Sequence, residues 1–441
     1  MKALQKPLAK IRGGAHVPHY KETAEGESLR MPTPQTVLLP MRQHIGAYCK
    51  PTVKVGEEVL MGQVIGDADA HVIAPIHAPV SGKVKQIMPY LLTRGVTVDA
   101  VLIENDGQDT LHPDVKPPVI HNKADFIKAV RASGLVGIGG AGFPTHVKLN
   151  VRDDVKIDTL VINGAECEPY ITSDYREIME NHMHVITGIQ KVMEYINIPH
   201  CLIGIEDNKP KAIELLAKEI EALGLADSIK VVPLPSFYPH GAEKQLIYAM
   251  SGRKVPVGKL PSDVGMVVLN ISSVSVLNYY LDTGMPLIRK RVTVAGKAIK
   301  SPCNVFVPVG TMIEEVAQFC GGYLEEPTKI LMGGPMMGVA QYDANTPVYK
   351  QNNALLFLTP GETYAPREEA CIRCGRCVSA CPMNLMPTEI ERAAKLGDET
   401  LLKKFSVQAC MECGSCAFAC PSKRPLGQYL RYGKLVEREG K

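Results

Sequence analysis

The sequence predicts a multidomain chain of α/β and α+β modules, and three observations predict it. At 441 residues it is longer than one ordinary core, since a domain takes roughly 100–200 residues. Its middle alternates strand-like and helix-like segments, the order that builds a largely parallel sheet. Its end turns abruptly cysteine-rich and helical.

Composition removes several classes. Apolar residues make up 45% and charged residues 22%, close to a soluble globular average, which argues against disorder and against a membrane channel. A net charge of +3 with both signs interspersed gives no basic stripe, so nucleic acid is not an expected partner. The start, Met1 to Leu8, has charge but no apolar run after it, so no secretory signal is expected and the chain is expected in the cytoplasm. The longest nearly apolar stretch, 264–277, is broken by Asn270, Ser272, Ser273 and Ser275 and is shorter than the roughly 20 residues of a spanning helix. Membrane contact is therefore expected through a partner.

Residues 1–35, with Gly13, Gly14, Pro18, Pro32 and Pro34, show no sustained period and read as an irregular arm. In 36–110, short runs at Thr52–Val55, Val59–Ile65, His71–Ile73, Val84–Ile87 and Val98–Ile103 predict a small β barrel or sandwich. The stretches 53–66 and 78–84 resemble biotinyl and lipoyl carrier domains. The tip where those domains carry a modified lysine, Asp67 to His71, has none here, which leaves a structural or docking role. His16, His19, His71 and His77 read as ordinary polar or packing histidines. In 120–286, predicted strands Thr159–Asn163, Cys201–Ile205, Lys230–Pro233 and Val264–Ile271 alternate with helices Tyr175–Tyr195, Pro210–Leu223 and Gly241–Met250, a Rossmann-like arrangement. Ligands of such sheets sit at strand carboxyl ends, where Asn163, Glu206 and Asn270 fall. Residues 287–345 read as a small α+β module with strands Arg291–Val294, Asn304–Val307 and Lys329–Leu331 and helix Met312–Cys320. A polar linker with Pro360, Gly361 and Pro366 opens the last module, 346–441.

Eight of the thirteen cysteines decide the chemistry of that module. Cys371, Cys374, Cys377 and Cys381 precede Pro382; Cys410, Cys413, Cys416 and Cys420 repeat the spacing before Pro421. This is the bacterial ferredoxin pattern, in which three thiolates two residues apart hold one cubane and the fourth reaches the other. The expected sets are Cys371, Cys374, Cys377 and Cys420 for one [4Fe–4S] cluster and Cys410, Cys413, Cys416 and Cys381 for the second. Paired zinc sites are the competing reading, but zinc takes four thiolates and gives no reason for two interlocked sets. Cys49, Cys167, Cys201, Cys303 and Cys320 lack ligand spacing and read mostly as buried thiols.

Gly137, Gly139 and Gly142 formally satisfy G-x-G-x-x-G, but a helical pattern, Asp125–Ser133, precedes them and Phe143 and Pro144 follow, which is not the Rossmann context. Glycine N–H groups with Lys148 downstream suit a phosphate. The run Gly137 to Lys148 resembles the flavin loop of the NADH-oxidising flavoprotein subunit of respiratory complex I and of related hydrogenases. Asn163 to Pro169, Tyr238 to Glu243, and Leu269 with Asn270 resemble that family's following motifs, in order. The resemblance implies noncovalent FMN held by Gly137, Gly139, Gly140, Lys148, Asn163, Glu166, Tyr238 and Asn270, and nicotinamide contacted by Phe143, Glu168 and Glu243. Ile138 stands where that family usually has arginine, and Ala242 where it has an acid. With the run Arg12 to Pro18, the carrier-like module, a β-grasp-like module of the soluble-ligand-binding type at 287–345 and both cysteine runs, nearly the whole chain resembles the C subunits of Rnf electron-transport complexes. That resemblance implies a peripheral NADH/NAD-reactive subunit of a membrane-bound, ion-translocating ferredoxin:NAD oxidoreductase on the cytoplasmic face. Membrane subunits would be its partners and ferredoxin a direct or indirect one, and the arm and carrier-like module would be the docking surfaces. The alternatives are a soluble cobalamin reductase of the propanediol-utilisation type and a flavin-free Fe–S scaffold.

Overall fold

The computed structural model describes residues 1–93, 95–152, 154–363 and 367–439; Pro366 of the expected linker lies outside them. At the centre is a four-stranded parallel sheet in the order Ile229–Leu234, His200–Glu206, Thr159–Asn163, Met266–Asn270. Leu160 and Ile162 enter the main core with helices Ser173–Ile196 and Ile271–Thr283, while Val161 faces a second core with helix Glu243–Ser251. Both faces being covered explains why these strands are continuously apolar in sequence. Strand order reverses between Thr159–Asn163 and Met266–Asn270, and the register sets Asn163 directly beside Asn270 at the carboxyl ends. That is where an open α/β sheet presents its crevice. The predicted strand Val264–Ile271 is cut short because the Asn270 side chain accepts from Ser273 N–H and starts a helix. The β-branched and serine-rich run after it concealed that helix from propensity.

The N-terminal module is two small sheets. One is ordered Thr36–Pro40, Thr97–Asn105, Gly82–Leu91, Glu58–Val59, and the other Lys50–Pro51, Val64–Asp67, Ile76–His77. Thr52–Val55 and His71–Ile73 form no strands, although Val53 and Ile73 are buried, so their apolar character serves the core without a ladder. The run Val59–Ile65 splits at a turn around Gly62.

A six-stranded mixed sheet follows, ordered Leu29–Arg30, Cys303–Pro308, Arg289–Ala295, Ala354–Leu358, Lys329–Met332, Val339–Ala340, with helix Ile313–Phe319. It takes a strand from the arm and another from the stretch assigned to the linker. Ala354–Leu358 is wholly buried between two neighbours, and a short run without alternation carries no period to betray it.

The cysteine-rich module repeats itself. Arg373 and Glu412, Gly375 and Gly414, and Asn384 and Lys423 occupy matching positions with matching positive φ. Each half has a short helix, Arg376–Ser379 or Ser415–Phe418, and a longer one, Pro387–Leu396 or Leu426–Glu439.

The arm is not a loose lead but a strap. Leu4 bridges Val231, Gly14 N–H donates to Ala380 carbonyl at 2.8 Å, and Ala15 bridges Tyr238. Lys21 Nζ donates to the carbonyls of Glu166 and Glu168, both at 2.9 Å, and to that of Ile171 at 2.5 Å. The arm thus contacts three modules, while most of its residues remain exposed or partly exposed. Among the described residues no helix is long and apolar enough to cross a membrane.

Candidate functional site

The glycine loop is a tight hairpin beside the sheet crevice. Gly137 N–H donates to Phe143 carbonyl at 2.9 Å, and Val136 bridges Pro144. Gly139 has φ +78°, and a Cβ there would lie 3.0 Å from Asn353 Nδ2 and 3.8 Å from Asn270 Nδ2. Gly139 and Gly140 are exposed, with open space around Gly140, while Ile138 is buried and its N–H donates to Ser273 Oγ at 3.1 Å. An inward Ile138 explains how a residue other than arginine is accommodated: here the position is core.

Asn163 Nδ2 donates to Gly241 carbonyl at 2.8 Å, and Gly241 lies against Cys167. Asn270 Nδ2 donates to Asp174 at 2.7 Å. Lys148 Nζ reaches Glu243 Oε2 at 3.0 Å and Val268 carbonyl at 3.3 Å, and the Lys148 and Glu243 side chains are partly open to water. Glycine loop, Asn163, Asn270, Lys148 and Glu243 therefore surround one crevice. Beside it Gln351, whose carbonyl accepts from Gly139 N–H, has a buried side-chain oxygen without a hydrogen-bond partner. An exposed glycine turn with open space at Gly140, a cation and an unsatisfied polar atom suit a phosphate-bearing, hydrogen-bonding group such as FMN.

Two expected flavin contacts are otherwise engaged. Glu166, with φ +49°, is buried and accepts from the N–H groups of Asp174 and Tyr175, so it caps helix Ser173–Ile196. Burial pushes its carboxyl up to about 7, against the Lys21 ammonium. Tyr238 is 2% exposed, and its hydroxyl donates to Cys413 carbonyl at 2.6 Å. It faces the cysteine module and not the crevice. Of the expected nicotinamide contacts, Phe143 closes the glycine hairpin and Glu243 pairs Lys148. Glu168 accepts from Met336 N–H at 3.0 Å and Met337 N–H at 2.9 Å, and burial pushes it up to about 7. The run Gly333, Gly334, Pro335, Met336, Met337, Gly338 carried no recognised motif, though its glycines around two methionines were a signal of close backbone approach. Gln351 and Asn353 carried no signal.

In the last module Cys381 lines one cavity with Cys410, Cys413 and Cys416, and their thiols interact electrostatically. Cys377 feels Cys420 and Cys371 in the same way. Cys381 thus stands with the second run, and Cys420 near Cys377 of the first. Among the described residues no three His, Cys, Asp or Glu side chains gather as ligands of one metal ion; Cys381, Cys410, Cys413 and Cys416 line a common cavity. The two halves differ in exposure. Cys413 and Cys416 are buried, with the Cys413 carbonyl under Tyr238, whereas Cys371 and Cys374 are exposed. Gly414 lies against the Met336 carbonyl, so the Met336 loop touches both Glu168 and this cysteine loop.

Comparison with known proteins accounts for every module. Residues 130–278 match the Nuo51 FMN-binding domain, 9–108 the RnfC barrel sandwich hybrid domain, 291–340 the SLBB domain and 366–428 the 4Fe-4S dicluster domain. The chain accordingly carries an FMN site and two cubane sites. The NAD+-reducing [NiFe]-hydrogenase in its air-oxidised state shares the fold, with TM-score 0.51 and 16% identity over 72% of this chain and 63% of that one. The C subunit of the proton-translocating ferredoxin:NAD(+) oxidoreductase complex of Clostridium ljungdahlii is 43% identical over 98% of this chain and 94% of its own length. The C subunit of the Na(+)-translocating ferredoxin:NAD(+) oxidoreductase complex of Acetobacterium woodii is 42% identical over 86% of each. The C subunit of the ion-translocating oxidoreductase complex of Rhodobacter capsulatus is 41% identical over 98% of this chain and 84% of its own length. With similarity that spans barrel, flavin, SLBB and dicluster modules in one order, the chain belongs to the family of C subunits of ion-translocating ferredoxin:NAD oxidoreductase complexes.

Proposed function

We propose that this chain is the peripheral, nicotinamide-reactive subunit of such a complex and conducts electrons between nicotinamide in the crevice and a partner subunit at the exposed cysteine loop. One observation carries the direction of the wire: the loop that follows the flavin motifs, through Tyr238, is hydrogen-bonded to the backbone of Cys413. When bound, FMN exchanges electron pairs with nicotinamide and single electrons with cubanes. The protein's part is to hold these groups at fixed separations. Gly137, Gly139, Gly140 and Lys148 would hold the phosphate end, and Asn163 and Asn270 the crevice wall. Glu168 would hold the Met336 loop across the path, with Phe143 and Glu243 at the nicotinamide side. The cluster of Cys381, Cys410, Cys413 and Cys416 would be the inner one. The cluster of Cys371, Cys374, Cys377 and Cys420, whose loop is open to solvent, would serve the partner, with ferredoxin reached directly or through it. Because nicotinamide is a cytosolic substrate and no described helix spans a membrane, the cytoplasmic face of the membrane is the proposed location.

The test is anaerobic purification followed by NADH titration. About eight irons per chain, the content of two cubanes, and bleaching of flavin before clusters are expected. A chain loaded with flavin and iron that NADH leaves oxidised would overturn the nicotinamide assignment.

A further inference from the structure

Cys303 and Cys320 belong to neither cluster set nor to the crevice, and lie in the six-stranded-sheet module. Cys303 starts the strand Cys303–Pro308, and Cys320 caps the end of helix Ile313–Phe319. Their sulfurs are 3.6 Å apart. The surroundings hold them in register, since Cys320 carbonyl accepts from Ser301 N–H at 3.0 Å and Cys320 N–H donates to Val316 carbonyl at 3.1 Å. Their exposure differs: Cys320 is 2% exposed, while Cys303 is only partly covered. We propose that this pair is a peroxide-reactive dithiol, with Cys303 the attacking and Cys320 the resolving cysteine, that closes to an intramolecular disulfide.

Three features of the geometry assign those roles. An attacking thiol must be reachable from solvent, and a resolving thiol must wait beside it. Of the two, Cys303 is the one reachable from solvent, and Cys320 waits buried 3.6 Å away. The two sulfurs share one S–H···S hydrogen bond, and that contact holds the Cys303 thiol below its ordinary pKa and raises the Cys320 thiol. The thiolate is the nucleophile. Cys49 and Cys201, buried without a thiol neighbour and pushed up by burial, lack both features.

The chemistry balances with a peroxide as the oxidant. Cys303 sulfur attacks one oxygen of hydrogen peroxide; the S–O bond forms, the O–O bond breaks, and the departing hydroxide takes up a proton as water. Cys320 sulfur then attacks the sulfenic sulfur; the S–S bond forms, the S–O bond breaks, and a second water leaves with the Cys320 proton. Two thiols lose two electrons and two protons, and one peroxide becomes two waters. Closure would tie the strand to the helix across the module that also contributes the Met336 loop.

Holoprotein purified anaerobically would be treated with one equivalent of hydrogen peroxide, alkylated with light iodoacetamide, reduced, alkylated with heavy iodoacetamide and mapped by peptide mass spectrometry. Cys303 and Cys320 should pass from light to heavy label together, in a disulfide-linked peptide pair before reduction, while Cys49 and Cys201 stay light. In Cys320→Ser, dimedone should trap a sulfenic acid at Cys303. The proposal is overturned if the two cysteines stay light at that dose, if either pairs with a different cysteine, or if Cys303→Ser leaves oxidation of Cys320 undiminished. The mapping of the unmutated chain needs no variant to fold.

Discussion

Tyr238 joins two modules through one buried hydroxyl, so its removal separates binding from conduction. Tyr238→Phe leaves the Cys413 carbonyl without its donor, a cost of about 1–3 kcal/mol. NADH should still bleach the flavin of this variant at the wild-type rate while the clusters follow more slowly. Stopped-flow spectra in which both phases are unchanged would remove Tyr238 from the relay. Lys148 is held on the protein side by a half-exposed pair with Glu243, worth no more than about 1 kcal/mol, so it remains available to an anion. Lys148→Ala should weaken FMN binding by about tenfold to a hundredfold, the worth of one charge-assisted hydrogen bond. Fluorescence titration of apoprotein with FMN checks this, and unaltered affinity would place the phosphate elsewhere.

Glu168 adds a pH signature. Its folded-state pKa, about 7, lies above the unfolded carboxylate value, so the fold favours the protonated form. The associated stability is present in acid and is lost as pH rises through about 7. Glu168→Gln cannot ionise. Its melting temperature relative to wild type should therefore climb between about pH 5 and pH 8, whatever the offset between the two proteins. A parallel pair of pH curves would contradict the buried, perturbed carboxyl.

The element whose role the structure changes most is the arm. Its composition reads as an irregular lead, yet Gly13 at φ +74° lies so close to Cys381 that a Cβ would stand 2.6 Å from the Cys381 carbonyl oxygen. Gly13→Ala therefore forces the arm off the inner cluster loop, with strain of at least about 1 kcal/mol from the left-handed backbone alone. Lower iron and sulfide per chain than wild type, with FMN content unchanged, is the expected outcome of chemical analysis; full iron loading would show that the strap is dispensable for the cluster. The arm straps modules together yet stays largely at the surface, so that it, the barrel-sandwich module and the exposed Cys371 loop all remain open to partners. Helix Ile271–Thr283 and strand Ala354–Leu358 illustrate why elements escape a reading of sequence. The first is written in β-branched residues, and the second lacks a period, because packing on both sides and not local propensity stabilises them.

At the scale of the whole molecule, the proposed exchange of the fourth cysteines would make the two clusters one folding unit. Cys420→Ser should damage the cluster of Cys371, Cys374 and Cys377, although it neighbours the other run in sequence. Electron paramagnetic resonance of reduced protein should lose that signal and keep the one from Cys410, Cys413, Cys416 and Cys381; loss of the latter alone would reverse the assignment.

What the sequence by itself determined is whatever depends on short spacing. The repeated cysteine runs dictate cubane chemistry, the Gly137 to Lys148 run marks the FMN-binding domain, and continuous apolar strands alternating with helices dictate a parallel sheet. Such features are local, because ligand reach and backbone sterics act over a few residues. Only the tertiary structure decided that Glu166 caps a helix, that Tyr238 turns toward Cys413, that the Met336 loop lies on Glu168, and that one cysteine loop is buried while its repeat faces solvent. Those outcomes depend on which distant segments share a buried space, where each polar group must find a partner that no neighbour in sequence supplies.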